Sequence, residues 1–201
     1  MKKEDIIKRF LITKKQEVLI QRYIKTLFEF NKHTNLVGRS TLLDPWKNHI
    51  LDSLQILPLI ENKKLSILDM GSGAGFPGNV LSILGCQNVM LVDSNGKKIN
   101  FLKSVNKRLG IKSKVVLSRV EALNNISFDI ITSRALANLG KLFSYSNKFD
   151  KKNTVLIFLK GKTVNEEIED AEKKWSFQAT VQQSVSDSRG SVLIIKNIKK
   201  K

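Results

Sequence analysis

The run Leu68-Asp69-Met70-Gly71-Ser72-Gly73-Ala74-Gly75-Phe76-Pro77-Gly78 is the densest chemical signal in the chain. Glycines directly after an apolar strand let the backbone turn tightly and approach a ligand with no side chain between. Pro77 then suits the first position of a helix, where a missing N–H costs nothing. The spacing Gly73-x-Gly75-x-x-Gly78 also fits a dinucleotide-binding loop, so the glycines do not identify the ligand. Asp69 weighs against a dinucleotide, because a pyrophosphate beside these glycines meets a repelling carboxylate. A sulfonium donor such as S-adenosylmethionine has no phosphate and carries a cationic amino group, which the same carboxylate favours. Asp93 closes the next apolar run and can accept hydrogen bonds from ribose hydroxyls of either ligand. On these residues the sulfonium donor leads, a nicotinamide or flavin nucleotide stays open, and a plain strand–helix corner is the third reading.

Other side chains gather around this loop in sequence order. Phe76 can lie along a ligand or pack in the core. Val120-Glu121 follows the third strand, where backbone N–H groups can read an adenine edge, and Glu121 alternatively serves as a first-turn helix acid. Arg134 directly follows an apolar strand, so its guanidinium is expected at the rim, able to bind a carboxylate or phosphate bidentately, with a plain surface arginine as the competing reading. His49 and Asp52 stand three apart on an expected helix and share a face, either closing over the ligand or packing as a surface pair. With His33 as the other histidine, no metal-ligand set is apparent. Lys160 ends the fifth strand and is a candidate phosphate contact. Lys97, Lys98, Lys103, Lys107 and Arg108 form either a solvated helix face or an RNA-facing one.

The elements that must position these residues are legible from periodicity. In residues 1–60, Ile20, Ile24, Leu27 and Phe28 share one helical face, and Leu51, Leu54 and Leu57 share another, with Asp44-Pro45 as a helix start. From Leu65 onward short apolar runs alternate with helical segments. The strands are SILDM (66–70), NVMLVD (88–93), KVVLS (114–118), FDIITS (128–133) and TVLIFLK (154–160). The helices start at Pro77, span Gly96 to Leu109, lie around Leu139 to Tyr145, and cover an acidic stretch at 164–174. That order predicts an α/β fold with a parallel sheet covered on both faces. WSFQATVQQSV and SVLIIKNI flank a DSRG turn, so the sheet is expected to end in an antiparallel hairpin strand. The expected organisation is an N-terminal helical extension, 1–60, packed as one globular unit with a domain spanning 61–201.

Composition narrows the partners. The chain has 201 residues, 35 Lys and Arg against 18 Asp and Glu, and a net charge of +17. The excess runs through four successive segments rather than a tail, so a folded domain positive over its whole body attracts polyanions. A Lys-rich composition without function is the competing explanation. The lone Cys86 fits a reducing compartment, and no long apolar segment or signal-peptide core is present, so a cytoplasmic protein without membrane contact is expected.

The motifs together carry a resemblance. NHILDSL (48–54), DMGSGAGFPG, VDSNGKKINFL (92–102), SRVEAL (118–123), ITSRALANL (131–139) and LKG (159–161) occur in the order found in the small-subunit rRNA guanine-N7 methyltransferases, also called the glucose-inhibited division protein B family. The chain resembles that family from about Asn31 to the C-terminus, and residues 1–30 match it only in being helical. The resemblance implies a class I S-adenosylmethionine-dependent methyltransferase (Rossmann-like) sheet. It also implies S-adenosylmethionine as cofactor and methylation of guanine N7 in 16S rRNA, in a loop near the decoding centre of the small ribosomal subunit. Carried over by position, it assigns cofactor contacts to Gly71, Phe76, Val120, Glu121 and Arg134. Gly73 and Asp93 join the same pocket by the reasoning above. Asn79 departs from the family, whose members often have an aliphatic residue there.

Guanine N7 has a free lone pair and no proton, so neither a general base nor a metal is expected; orientation should be the enzyme's task. Arg134 is the candidate for positioning both donor and acceptor, and a monomer is expected. The rivals are a small-molecule methyltransferase, a dinucleotide reductase, and a non-catalytic RNA-binding assembly factor on the same fold.

Overall fold

The computed structural model describes residues 1–124, 126–151 and 153–201. Its helices are α1 (Lys3–Arg9), α2 (Lys14–Asn31), α3 (Asp52–Leu54), α4 (Gly78–Ile83), α5 (Gly96–Leu109), α6 (Leu139–Ser146) and α7 (Val164–Glu172). The strands are β1 (Ser66–Met70), β2 (Asn88–Asp93), β3 (Lys114–Leu117), β4 (Ile130–Arg134), β5 (Val155–Lys160), β6 (Trp175–Gln183) and β7 (Ser191–Lys200). They form one sheet in the order β3-β2-β1-β4-β5-β7-β6. β1 to β5 pair in parallel, while β7 inserts antiparallel between β5 and β6. This is the mixed sheet expected from the strand–helix alternation and the terminal hairpin.

Period-two alternation sends successive strand residues to opposite layers. Ile67, Leu91, Ile130 and Ile157 join the N-terminal helices, α4 and α5 in one apolar cluster. Leu68, Val92, Ile131 and Phe158 join α6 and α7 in the other. The first cluster runs without a break from Ile6 and Ile20 to Leu102 and Ile157, so the N-terminal helices pack directly on the sheet layer.

α2 starts at a Thr13–Gln16 capping box. Its buried face is Ile20, Tyr23, Ile24 and Leu27, and Phe28, expected on that face, is exposed. Phe28 lies one position beyond the stripe that faces the sheet layer, and Tyr23 occupies the inward position instead. The Tyr23 hydroxyl donates to the Ala74 carbonyl in the glycine loop, and its ring stacks on Phe76 and Phe101. α2 therefore braces the loop from below. Tyr23→Ala should cost about 3–5 kcal/mol of stability, as large aromatic truncations in cores do; urea unfolding reads this directly, and a loss under 1 kcal/mol, roughly a surface effect, would refute the bracing role.

The Asp44-Pro45 start holds, since Asp44 accepts from Lys47 N–H at 3.0 Å. The following residues, Trp46–Leu51, wind as a π-helix before the single α turn of α3. Leu51 and Leu54 are buried, and Leu57 is only partly so. The helical period assumed for that face is broken by the wider π turn, which brings His49, Ile50 and Leu51 inward together. Asn79 is fully buried in a polar cluster: its amide donates to Asn106 Oδ1 at 3.0 Å, and its carbonyl accepts from Ser113 Oγ at 2.6 Å. Each partner is satisfied, so a polar residue is accommodated at this buried position.

Candidate active site

The carboxyl ends of β1 to β5 lie along one edge of the parallel sheet, where such folds bind ligands. The loop after β1 has positive φ at Gly71 (67°), Gly73 (57°) and Gly75 (87°), a backbone that other residues adopt only with strain. A Cβ at Gly71 would sit 2.6 Å from Leu136 Cδ1, and one at Gly78 would run into Leu91 and come within 2.8 Å of Asp69 Oδ2.

Asp69 corrects the sequence argument. Its side chain is fully buried beneath the loop, with Oδ2 accepting from Gly78 N–H at 3.2 Å and Oδ1 from Thr132 Oγ1 at 2.9 Å. Thr132 is its register partner on β4, which explains the contact. Burial raises the Asp69 carboxyl to about 6, against the pull of these hydrogen bonds. Asp69 thus ties the loop to the sheet and does not face the ligand cavity, so it cannot discriminate between donors by direct charge contact.

Gly71, Asp93, Val120 and Glu121 come together. They line a cavity of about 410 Å³, with Asn95, Lys98, Ala135, Leu136, Lys141 and Tyr145 among the other walls. Asp93 accepts from Gly73 N–H at 2.9 Å through Oδ2 and from Asn95 N–H at 2.8 Å through Oδ1. A carboxylate has about four acceptor sites, so two remain for a ligand. Gly73 thus serves the cavity by orienting Asp93. Val120 is buried and Glu121 exposed; the Glu121 carboxyl is held below its usual range first by its own backbone N–H.

Phe76 does not reach the cavity wall. Its ring is 2% exposed and sandwiched between Tyr23, 5.3 Å away, and His49, 4.7 Å away. The core-packing reading of its ring applies, and its N–H donates to the Ser72 carbonyl at 3.3 Å within the loop.

Arg134, His49 and Asp52 converge, although 82 or more residues separate Arg134 from the other two. Arg134 Nη1 donates to Asp52 Oδ2 at 3.1 Å and to the Asn48 carbonyl at 3.2 Å, and Nη2 donates to His49 Nδ1 at 3.2 Å. The guanidinium lies 5.1 Å from the Phe76 ring centre. Asp52 Oδ1 also accepts from Ser186 Oγ at 2.6 Å, which ties in the β6–β7 loop. Three of Arg134's five N–H groups are therefore taken, leaving two. His49 and Asp52 are not a surface pair, and sequence spacing offered no signal for the Ser186 link. Arg134 and Asp52 line a second cavity of about 500 Å³, which shares Ala135 and Leu136 with the first and extends to Asn138, Ser184 and Asp187. Lys160 also differs from expectation: its ammonium pairs with Glu167 at 2.6 Å and donates to the Ala137 carbonyl at 3.0 Å, because β5 ends beneath α7. Its charge is already matched by Glu167, with one N–H of the ammonium left over.

Arg134 donates to His49 Nδ1, so the ring proton sits on Nε2, facing Thr41 Oγ1 at 2.9 Å. Burial, then the Arg134 charge, push His49 down to about 3 from 6.5. The unfolded chain then binds this proton more readily, so the contribution is complete above about 6.5 and is lost as pH falls toward 3. Asp69 has the opposite sign, but it is common to wild type and variant and cancels. His49→Gln should therefore lose less stability than wild type between pH 7 and pH 5, by roughly 2 kcal/mol. Urea midpoints at the two pH values test this, and parallel losses would contradict it.

Residues 16–195 match the family model described as rRNA small subunit methyltransferase G. The chain belongs to that family. It is 38% identical over 182 residues to "Ribosomal RNA small subunit methyltransferase G" of Rickettsia prowazekii, covering 90% of this chain and 93% of the relative. It is 40% identical to the protein of that name from Orientia tsutsugamushi (strain Ikeda), covering 88% of each. The fold is similar to a ribosomal protein L11 methylase from Lactobacillus delbrueckii, with TM-score 0.61, 20% identity, and 73% and 76% of the two chains covered. It is also similar to a magnesium protoporphyrin IX methyltransferase from Synechocystis with bound S-adenosylmethionine, with TM-score 0.61, 12% identity, and 91% and 96% covered. As a methyltransferase of the G family, with a class I sheet, this chain takes S-adenosylmethionine as its methyl donor. The cavity built on Gly71 and Asp93 fits that group: it has a glycine edge where a Cβ would collide, free acceptor sites on Asp93, and enough volume for a small-molecule ligand.

Proposed function

We propose that this G-family methyltransferase methylates N7 of a guanine in 16S rRNA, working in the cytoplasm on the small ribosomal subunit or its RNA. What carries the assignment is the pair of cavities that meet at Ala135 and Leu136, above the glycine loop. The smaller takes the donor and the larger the acceptor base. Gly71, Gly73, Asp93, Val120 and Glu121, with the Phe76 backbone, hold the donor; Arg134 serves both sides. Residues 1–60 act as a helical extension that packs with 61–201 as one unit, bracing the loop through Tyr23.

S-Adenosylmethionine supplies an electrophilic methyl group. Guanine N7 offers a lone pair without a proton to remove, so the chain's task is alignment. Asp93 can take ribose hydroxyls on its free lone pairs while Gly73 and Asn95 hold it in place. Arg134, held by Asp52, Asn48 and His49, keeps the acceptor wall and the Phe76 stack in register. His49, neutral and hydrogen-bonded at both nitrogens, acts in support and not as a base.

In an A-form helix the groove carrying N7 is deep and narrow, so the target is expected from a folded loop, recognised through shape and phosphates. Activity should fall steeply with added salt. The deciding experiment is labelled methyl transfer into rRNA from cells lacking this protein, followed by mapping of the modified nucleotide. One N7-methylguanine in 16S rRNA supports the assignment; label in metabolites alone, or in no acceptor, refutes it.

A further inference from the structure

A third concave surface lies beside the donor cavity, formed by the turn after α2 and the first turn of α5. Asn31 fixes that turn from within: its Oδ1 accepts from Leu36 and Val37 N–H at 2.7 and 3.0 Å, and its amide donates to the Val37 carbonyl at 3.1 Å. Asn95 caps α5 by accepting from Lys97 and Lys98 N–H. Between them is a notch of about 390 Å³ whose wall includes Lys32, His33, Arg39, Asn95, Lys97 and Lys98, and no acidic side chain. Among the described residues, Lys98 is the one cation of the four with a carboxylate within 4 Å, Asp93 at 3.9 Å. Lys32, Arg39 and Lys97 are exposed and make no ion pair among the described residues.

Cations gathered on a concave wall repel one another, and among the described residues only the Asp93 carboxylate, 3.9 Å from Lys98, offsets part of this. A string of phosphodiesters would offset the rest, with release of its counterions as a further gain. The α5 N-terminus adds partial positive charge on the same side. The notch shares Asn95 and Lys98 with the donor cavity, so a backbone held here runs alongside the bound donor.

We propose that this notch is a phosphate-binding site for the RNA substrate, with Lys32, Arg39 and Lys97 contacting successive backbone phosphates. The proposal rests on the RNA reading above and adds where the strand is held. The test compares the full chain with K32Q/R39Q/K97Q and with K112Q/K196Q/K199Q, which removes the same charge from exposed lysines outside the notch. Affinity for a labelled 16S rRNA fragment is measured across a series of KCl concentrations, and S-adenosylhomocysteine binding is measured by calorimetry. Losing three phosphate contacts should make the plot of log affinity against log salt shallower by about two, which is about a hundredfold weaker binding near 0.1 M salt. S-Adenosylhomocysteine affinity should not move, because none of the three lines the donor cavity.

Equal slopes and affinities for the two triple variants would overturn the proposal, since binding would then follow net charge alone. Competition of wild-type binding by inorganic phosphate as effectively as by RNA would also overturn it, by showing an isolated anion site. If the unaltered chain binds RNA through the notch yet methylates none, this site stands and the proposed reaction fails; normal methylation with an inert notch is the reverse result.

Discussion

Arg134→Ala should lower methyl transfer by roughly two orders of magnitude or more, the size of effect that a misplacement of about 1 Å produces at a reacting centre. The guanidinium ties three stretches of chain together: the π-wound turn through Asn48 and His49, α3 through Asp52, and β4, to which it belongs. Through Asp52 it also reaches Ser186 in the β6–β7 loop. Its removal leaves Asp52 with less compensation at a partly buried position, where the side chains are 20% and 18% exposed. A stability cost of about 2–4 kcal/mol should accompany the loss of activity. Arg134→Lys keeps the charge but not the fork, so it should recover stability more than rate. Single substitutions of Lys103 or Lys107 should change the rate by no more than about threefold, as removal of one exposed charge does. Initial rates on 16S rRNA, separated into kcat and KM, together with melting temperatures, provide the check. An Arg134→Ala enzyme with the wild-type rate would eliminate the role assigned to this residue.

Gly71→Ala is the second large effect, and it should fall on donor binding. The residue holds φ at 67°, and an alanine there costs about 1–2 kcal/mol in backbone strain alone. Its Cβ would sit 2.6 Å from Leu136, the side chain standing between the two cavities. Either the loop rotates away from its ligand or Leu136 is driven into the cavity, and S-adenosylhomocysteine affinity should drop roughly ten- to a hundredfold. Gly96→Ala is the control: a Cβ at this helical position meets nothing within 4 Å, so neither stability nor binding should suffer. Calorimetric titration of both variants separates a local clash from general damage. Unchanged affinity in Gly71→Ala would show that the donor does not approach this glycine.

Much of the scaffold was legible in the residues because it depends on local rules. The strand 88–93 and the helix Gly96–Leu109 match their expected spans, since the apolar runs are short and the helix has Asn95 at its start and Gly110, with φ 66°, at its end. The DSRG turn forms as expected, with Gly190 N–H donating to the Asp187 carbonyl at 2.9 Å. The glycine loop and the Asp93 position were likewise readable, because chain order along a parallel sheet brings the carboxyl ends of successive strands to one edge.

The partners of the functional side chains were not legible. Sequence placed Asp69 beside the glycines, yet only strand register turns it toward Thr132 and away from the ligand cavity. It placed Arg134 at a rim, yet the fold alone brings Asn48, His49 and Asp52 to its donors and Ser186 to Asp52. Phe76 and Lys160 have the chemistry of ligand contacts, but Tyr23, His49 and Glu167 claim them first. Periodicity and capping act within a few residues and therefore determine which elements form and which face is buried. A side chain's hydrogen-bond and charge partners come from segments far apart in the chain, and only the packed arrangement decides which of them meet.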